Sequence, residues 1–184
     1  MTHRSMIVIA EGLAKRGIAT LRYQFPYTER GSKRTDPPAT CHATVRAAVS
    51  AAAAHFPKIP LFAGGRSFGG RMTSQTQSLQ PLPDVRGLIF LGFPLHPAGK
   101  PSSERATHLA DVNVPMLFLQ GTRDDLADLE LLRPVLASLG DRATLHLLDG
   151  ADHSFHVLAR SGRNDAEVND EACDAIEEFT SEVL

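Results

Sequence analysis

The 184-residue chain is short of cysteine: only Cys41 and Cys173 occur, far apart and outside any CxxC or metal-ligand spacing. Each falls in a helical pattern, where a free cysteine acts as a small apolar residue. A disulfide framework is therefore not expected. No apolar stretch reaches ~18 residues, which excludes a transmembrane helix. Met1-Thr2-His3-Arg4 lacks the n-region, h-region and cleavage site of a secretory signal, and a reducing cytoplasm fits. An excess of charge of one sign is also lacking. The net charge is -2 and no basic run is interleaved with aromatics, so neither nucleic acid nor an anionic membrane is expected as a partner. His42, His55, His108 and His146 show no ligand pairing on one helix face. His153 and His156 stand three apart, the weak exception. No metal and no cofactor is expected.

Apolar residues make up 42% and charged residues 22% of the chain, near the globular average. One domain over residues 1–184 is expected. Helical and strand patterns alternate along it. Ser5 to Arg16 reads as a helix that Gly17 ends, and Ile18 to Phe25 as a strand that Pro26 ends. Pro26 to Ala39 reads as a loop and Thr40 to Phe56 as an Ala-rich helix. Ile59 to Ala63 is a short apolar strand and Gly69 to Gln80 a helix. Val85 to Gly92 and Val114 to Gln120 are apolar runs of the kind covered on both faces, separated by the irregular, proline-rich stretch Phe93 to Arg105. Asp125 to Leu139 reads as a helix interrupted near Pro134, Ala143 to Leu148 as a strand, and Asp165 to Leu184 as a final helix. About five strands with helical crossovers imply an α/β fold: a mainly parallel sheet with helices on both faces. In such sheets chemistry sits beyond the carboxyl ends of the strands.

Gly65-Arg66-Ser67-Phe68-Gly69 is a G-x-S-x-G motif. It directly follows one apolar strand and directly precedes a helix, the context of a nucleophile elbow. Ser67 as an ordinary helix cap is the rival reading. A phosphate loop is not supported, because no Gly-Lys-Ser/Thr follows. A serine hydroxyl needs a base within hydrogen-bond reach, and that base needs a partner that fixes its tautomer. Asp124 lies just past the strand Val114 to Gln120, with Asp125 as competitor or helix cap. His153 lies past the last strand, with His156 as its nearest rival. The chain order Ser67, Asp124, His153 matches a strand-end triad.

These residues resemble the α/β-hydrolase superfamily, and more closely the small dienelactone-hydrolase-like group that includes testis-expressed protein 30. The similar segments are Ala10 to Leu13, Leu21 to Tyr27, Gly64 to Met72, Phe93 to Pro97, Leu119 to Asp124 and Gly150 to Phe155. The resemblance implies a three-layer α/β-hydrolase-like sandwich with Ser67, Asp124 and His153 as its triad. It implies that Arg66, Phe93 and His96 border a small acyl substrate, and that the Phe68 N–H is one oxyanion donor. Members usually begin with a further strand and a His-Gly-rich turn that supplies the second donor. The chain starts after that point, so it is expected to be N-terminally incomplete, with only Thr2-His3-Arg4 near the place of the second donor. Losing one donor costs ~10²–10³ in rate. The expected activity is that of a serine hydrolase acting through an acyl-enzyme on an ester or related acyl bond of a small substrate, impaired where the second donor is missing, with a shallow pocket because no lid insertion is present. The alternative is a hydrolase-like scaffold that binds a protein partner. Fold alone fixes neither substrate nor oligomeric state.

Overall fold

The computed structural model describes residues 4–184. Helix α1 (Arg4–Lys15) leads into an extended segment, a short turn of helix α2 (Pro26–Glu29) and helix α3 (Pro38–His55). Strand β1 (Leu61–Arg66) and helix α4 (Phe68–Leu79) follow, then β2 (Val85–Leu91), a 3₁₀ segment (Glu104–Asp111), β3 (Met116–Gly121), α5 (Leu129–Leu139), β4 (Ala143–Leu148) and α6 (Asp165–Val183). Among the described residues the sheet has the order β1-β2-β3-β4, and all its pairs are parallel.

Side-chain alternation divides the sheet into two faces. Leu88, Phe90, Met116 and Phe118 pack towards α3, α4 and α5 in one apolar cluster. Leu91, Leu117, Leu119 and Leu148 pack towards α1 and α6 in the other. This is the three-layer arrangement that the apolar runs imply. Helix α3 starts at a proline in its first turn and presents Cys41, Val45, Val49 and Ala52 at helical spacing. Helix α6 starts with a capping box formed by Asn164 and Glu167. Both cysteines are free and buried.

Three sequence readings are corrected. Ile18 to Phe25 is extended but forms no strand ladder. A trough of about 280 Å³ lies between this segment and β1, lined by Leu13, Leu21, Tyr23, Val49, Leu61 and Phe62 among others. The two stretches therefore do not pair directly, and β1 is the sheet edge on that side. A strand needs a partner's N–H and C=O groups to become one. Helix α5 begins at Leu129, capped by Asp128, which accepts from the Glu130 N–H at 2.9 Å; Asp125 is not the cap. Pro134 sits inside α5 without ending it.

The strand-to-helix turn after β1 is crowded. A Cβ on Gly70 would come 2.6 Å from the Gly65 carbonyl oxygen and 3.1 Å from the Phe90 ring, whereas one on Gly69 would meet only the Phe25 ring at 4.0 Å. The residue beyond the motif, rather than its last glycine, lets helix and sheet close up. Gly70→Ala is expected to cost about 1–3 kcal/mol of overpacking strain, read as a lowered midpoint in thermal unfolding, with Gly69→Ala much milder.

The 3₁₀ segment packs on α4, where His108 Nε2 meets Ser74 Oγ at 2.7 Å. Burial, reinforced by the Arg71 cation, lowers His108 to about 4. In the unfolded chain it titrates near about 6.5. Between those values the unfolded state binds a proton that the folded state refuses. The associated stability is complete above about pH 6.5 and is lost as pH falls towards about 4. The urea midpoint of the wild type is expected to drop between about pH 7 and about pH 5, and His108→Gln to drop less.

Candidate active site

Ser67 stands alone between β1 and α4 with φ 50° and ψ −120°, a backbone region rarely occupied by residues other than glycine. Such a conformation costs ~1–3 kcal/mol and persists only where its surroundings enforce it. Here the Ser67 N–H donates to the Leu91 carbonyl at 3.2 Å, which ties the turn to the end of β2. The strained turn lifts the hydroxyl clear of the helix. The next N–H, that of Phe68, opens α4 and donates to no acceptor among the described residues. It is a free donor beside the hydroxyl, at the positive end of a helix.

The loops after β3 and β4 bring the other two groups to this hydroxyl. Ser67 Oγ donates to His153 Nε2 at 2.7 Å, and His153 Nδ1 donates to Asp124 Oδ2 at 2.7 Å. The Asp124 side chain is fully buried, while that of His153 keeps 21% of its surface. Asp124 is held on both oxygens. Oδ1 accepts from the Leu126 N–H at 2.8 Å, and Oδ2 also accepts from Gln120 Nε2. The two loops are laced together as well. Arg123 N–H donates to the Ala151 carbonyl at 2.9 Å, and Gly150 N–H to Thr122 Oγ1 at 2.8 Å. A hydroxyl, an imidazole and a buried carboxylate in line form a proton-transfer chain that can activate the hydroxyl as a nucleophile. Asp125 and His156 lie outside that chain; His156 pairs instead with Asp165 on the surface.

Arg66 donates to the His153 carbonyl at 3.2 Å and lies over the Phe155 ring. Phe93 is buried against Phe90 and Phe118. His96 is buried with Nδ1 on the Pro97 carbonyl at 3.0 Å and Nε2 accepting from the Asp128 N–H at 2.9 Å. Phe25, Tyr27 and Phe68 form an aromatic group beside the turn. Thr2 and His3 lie outside the described residues, so the expected neighbours of a second oxyanion donor have no structural account here. Among the described residues no cluster of three metal-ligating side chains occurs.

Gln120 is the residue the sequence reading missed. It is fully buried at the end of β3, and its Oε1 accepts from the Phe93 N–H at 2.9 Å while its Nε2 serves Asp124. One polar side chain closing the otherwise apolar run Val114 to Gln120 was the available signal. Gln120→Leu strands the Phe93 N–H, worth about 1–3 kcal/mol when buried unsatisfied, and leaves Asp124 Oδ2 with His153 as its remaining donor. The expected result is a lowered urea midpoint. Gln120→Glu, which keeps the acceptor but not the donor, is expected to lose stability more steeply as pH rises.

Residues 1–181 match the family described as "Alpha/beta hydrolase domain". Solved structures with the same fold include an alpha-beta serine hydrolase homologue from Coxiella burnetii, with TM-score 0.74 and 19% identity over 95% of this chain and 77% of that one. An α/β serine hydrolase without lid from Xanthomonas campestris gives TM-score 0.72 and 21% identity over 97% and 75%. The esterase domain of a Rhodothermus marinus protein gives 0.65 and 18% over 95% and 80%. At these identities the likeness is one of fold. The fold agrees with the family match over nearly the whole sequence, and the chain belongs to the alpha/beta hydrolase domain family.

Proposed function

We propose that the protein is a serine hydrolase that cleaves an ester or related acyl bond of a small substrate, with Ser67 as nucleophile, His153 as general base and Asp124 as its orienting partner. The observation that carries this reading is the unbroken line Ser67 Oγ, His153 Nε2, His153 Nδ1, Asp124 Oδ2, with both hydrogen bonds at 2.7 Å. Ser67 attacks the acyl carbonyl while His153 takes its proton. The Phe68 N–H donates to the oxygen that becomes negative. The tetrahedral intermediate collapses as His153 protonates the leaving alcohol. Water then repeats the sequence on the acyl-enzyme and frees the acid.

The Phe25, Tyr27 and Phe68 rings beside the turn suit a short apolar acyl group. The neighbour without lid is in keeping with an open, shallow site. We further infer membership of the dienelactone-hydrolase-like group and a cytoplasmic setting; among the described residues no helix is long and apolar enough to cross a membrane. A scaffold role needs none of this alignment, so the hydrolase reading is preferred.

A fluorophosphonate probe is expected to label the wild type at Ser67, and Ser67→Ala to abolish labelling and p-nitrophenyl acetate turnover. Equal labelling of the two proteins would sink the assignment.

A further inference from the structure

Arg66 precedes the nucleophile and closes β1, yet its side chain does not stay with the turn it belongs to. Its Nη1 reaches the His153 carbonyl at 3.2 Å, and its guanidinium carbon sits 4.3 Å from the centre of the Phe155 ring. We propose that Arg66 is a positioning residue for His153, a clamp that fixes the base loop to the strand carrying the nucleophile, and that it does not bind substrate. The inference rests on the proposed roles of Ser67 and His153.

Four features support it. The loop holds itself only in part. Asp152 Oδ1 accepts from the Ser154 N–H at 2.7 Å and the His156 N–H at 3.1 Å, and its carbonyl accepts from the Phe155 N–H at 3.0 Å. The His153 carbonyl takes no part in that turn. Among the described residues no backbone N–H serves it, and Arg66 is its donor.

Room for the arm is built in. A Cβ on Gly92, which has φ +71°, would come 3.2 Å from the His153 carbonyl oxygen and 3.3 Å from its ring, so the loop lies directly on the end of β2. Phe155, the other surface of the clamp, is fully buried at a positive φ of 66°. A phenylalanine held there at the cost of backbone strain gives the guanidinium a fixed face for a cation–π contact.

The guanidinium is also an expensive way to fill space. Its Nε and Nη2 are buried without a hydrogen-bond partner, and unsatisfied buried donors destabilise a fold. Burial lowers its pKa to about 10, against the opposing pull of Asp152 and Asp124. It therefore remains a cation at neutral pH, and the carboxylate of the proposed triad helps to keep it there. The buried charge is compensated by the same loops it holds together.

Arg66→Met keeps the stem and removes the donor and the charge. Arg66→Lys keeps the charge but not the planar stack. With p-nitrophenyl acetate, Arg66→Met is expected to lower kcat by about 100-fold, the scale of a roughly 1 Å misplacement in an active site, with KM nearly unchanged. Arg66→Lys should fall between it and the wild type. A second readout does not need turnover: the low-field proton resonance of His153 Nδ1, in line with Asp124, should shift or broaden in both variants. A raised KM with unchanged kcat would make Arg66 a substrate contact and overturn the clamp, as would kinetics and resonance both unchanged. If Arg66→Met does not fold, Arg66→Lys is judged on the same two readouts. If the wild type neither turns over ester nor takes the fluorophosphonate, the proposed function fails. The resonance still decides the clamp in that case, because an unchanged line in the folded variants excludes it.

Discussion

A carboxylate with no exposed side-chain surface must be hydrogen-bonded where it sits, because an unpaired buried charge costs several kcal/mol. Asp124 meets that demand with donors from three sources: the Leu126 N–H from its own loop, Gln120 from the end of β3, and His153 from the loop after β4. Much of the carboxyl edge of the sheet follows from this. Gln120 is tied down by the Phe93 N–H, which anchors the start of the loop after β2. The Asp124 loop is laced to the His153 loop through Arg123, Ala151, Thr122 and Gly150. The hydroxyl at the far end of the line stands on a turn whose strain the β2 end holds in place.

The parallel sheet makes such convergence cheap. Every strand delivers its following loop to the same edge, so a carboxylate, an imidazole and a hydroxyl from distant parts of the chain meet without any long excursion. Close backbone approach then sets the distances. At Gly70 the elbow helix presses on the Gly65 carbonyl, and at Gly92 the base loop presses on the end of β2. Side chains at those positions would separate elements whose hydrogen bonds tolerate little movement.

Much of this was legible in the sequence because it depends on local signals. Short apolar runs marked β2, β3 and β4 within a residue or two, and G-x-S-x-G between a strand and a helix marked the elbow. Asp124 and His153 followed from their position just past strand ends. What could not be read depends on partners distant in sequence. Ile18 to Phe25 has the composition of a strand, but strand identity belongs to a pair, and across the trough it has no ladder with β1. Asp125 and Asp128 are equally good caps by residue type; the Asp128 side chain is the one that accepts from the first turn of α5, at the Glu130 N–H. Arg66 was expected at the substrate. The alternation of side chains along β1 and a buried ring eighty-odd positions away turn it to the base loop instead.

The two flanks of Ser67 are therefore unequal. On the side of β2, β3 and β4 every polar group of the proposed proton-transfer line has its partner, and the loops bearing it are cross-linked. On the side of β1 the sheet ends in an open edge beside an apolar trough, with Leu21, Phe56 and Ile59 left exposed at 43%, 49% and 56%. The Phe68 N–H opens α4 two residues after β1 ends. In the proposed reaction, proton transfer from Ser67 depends on the completed flank, whereas stabilising the oxyanion draws on the N–H that follows the end of β1. A change that orders the β1 edge should thus act on the charge that develops on the substrate oxygen and leave the Ser67–His153–Asp124 geometry as it is. In the proposed reaction the same acyl oxygen carries the charge in the intermediates of acylation and deacylation, so both steps would gain together.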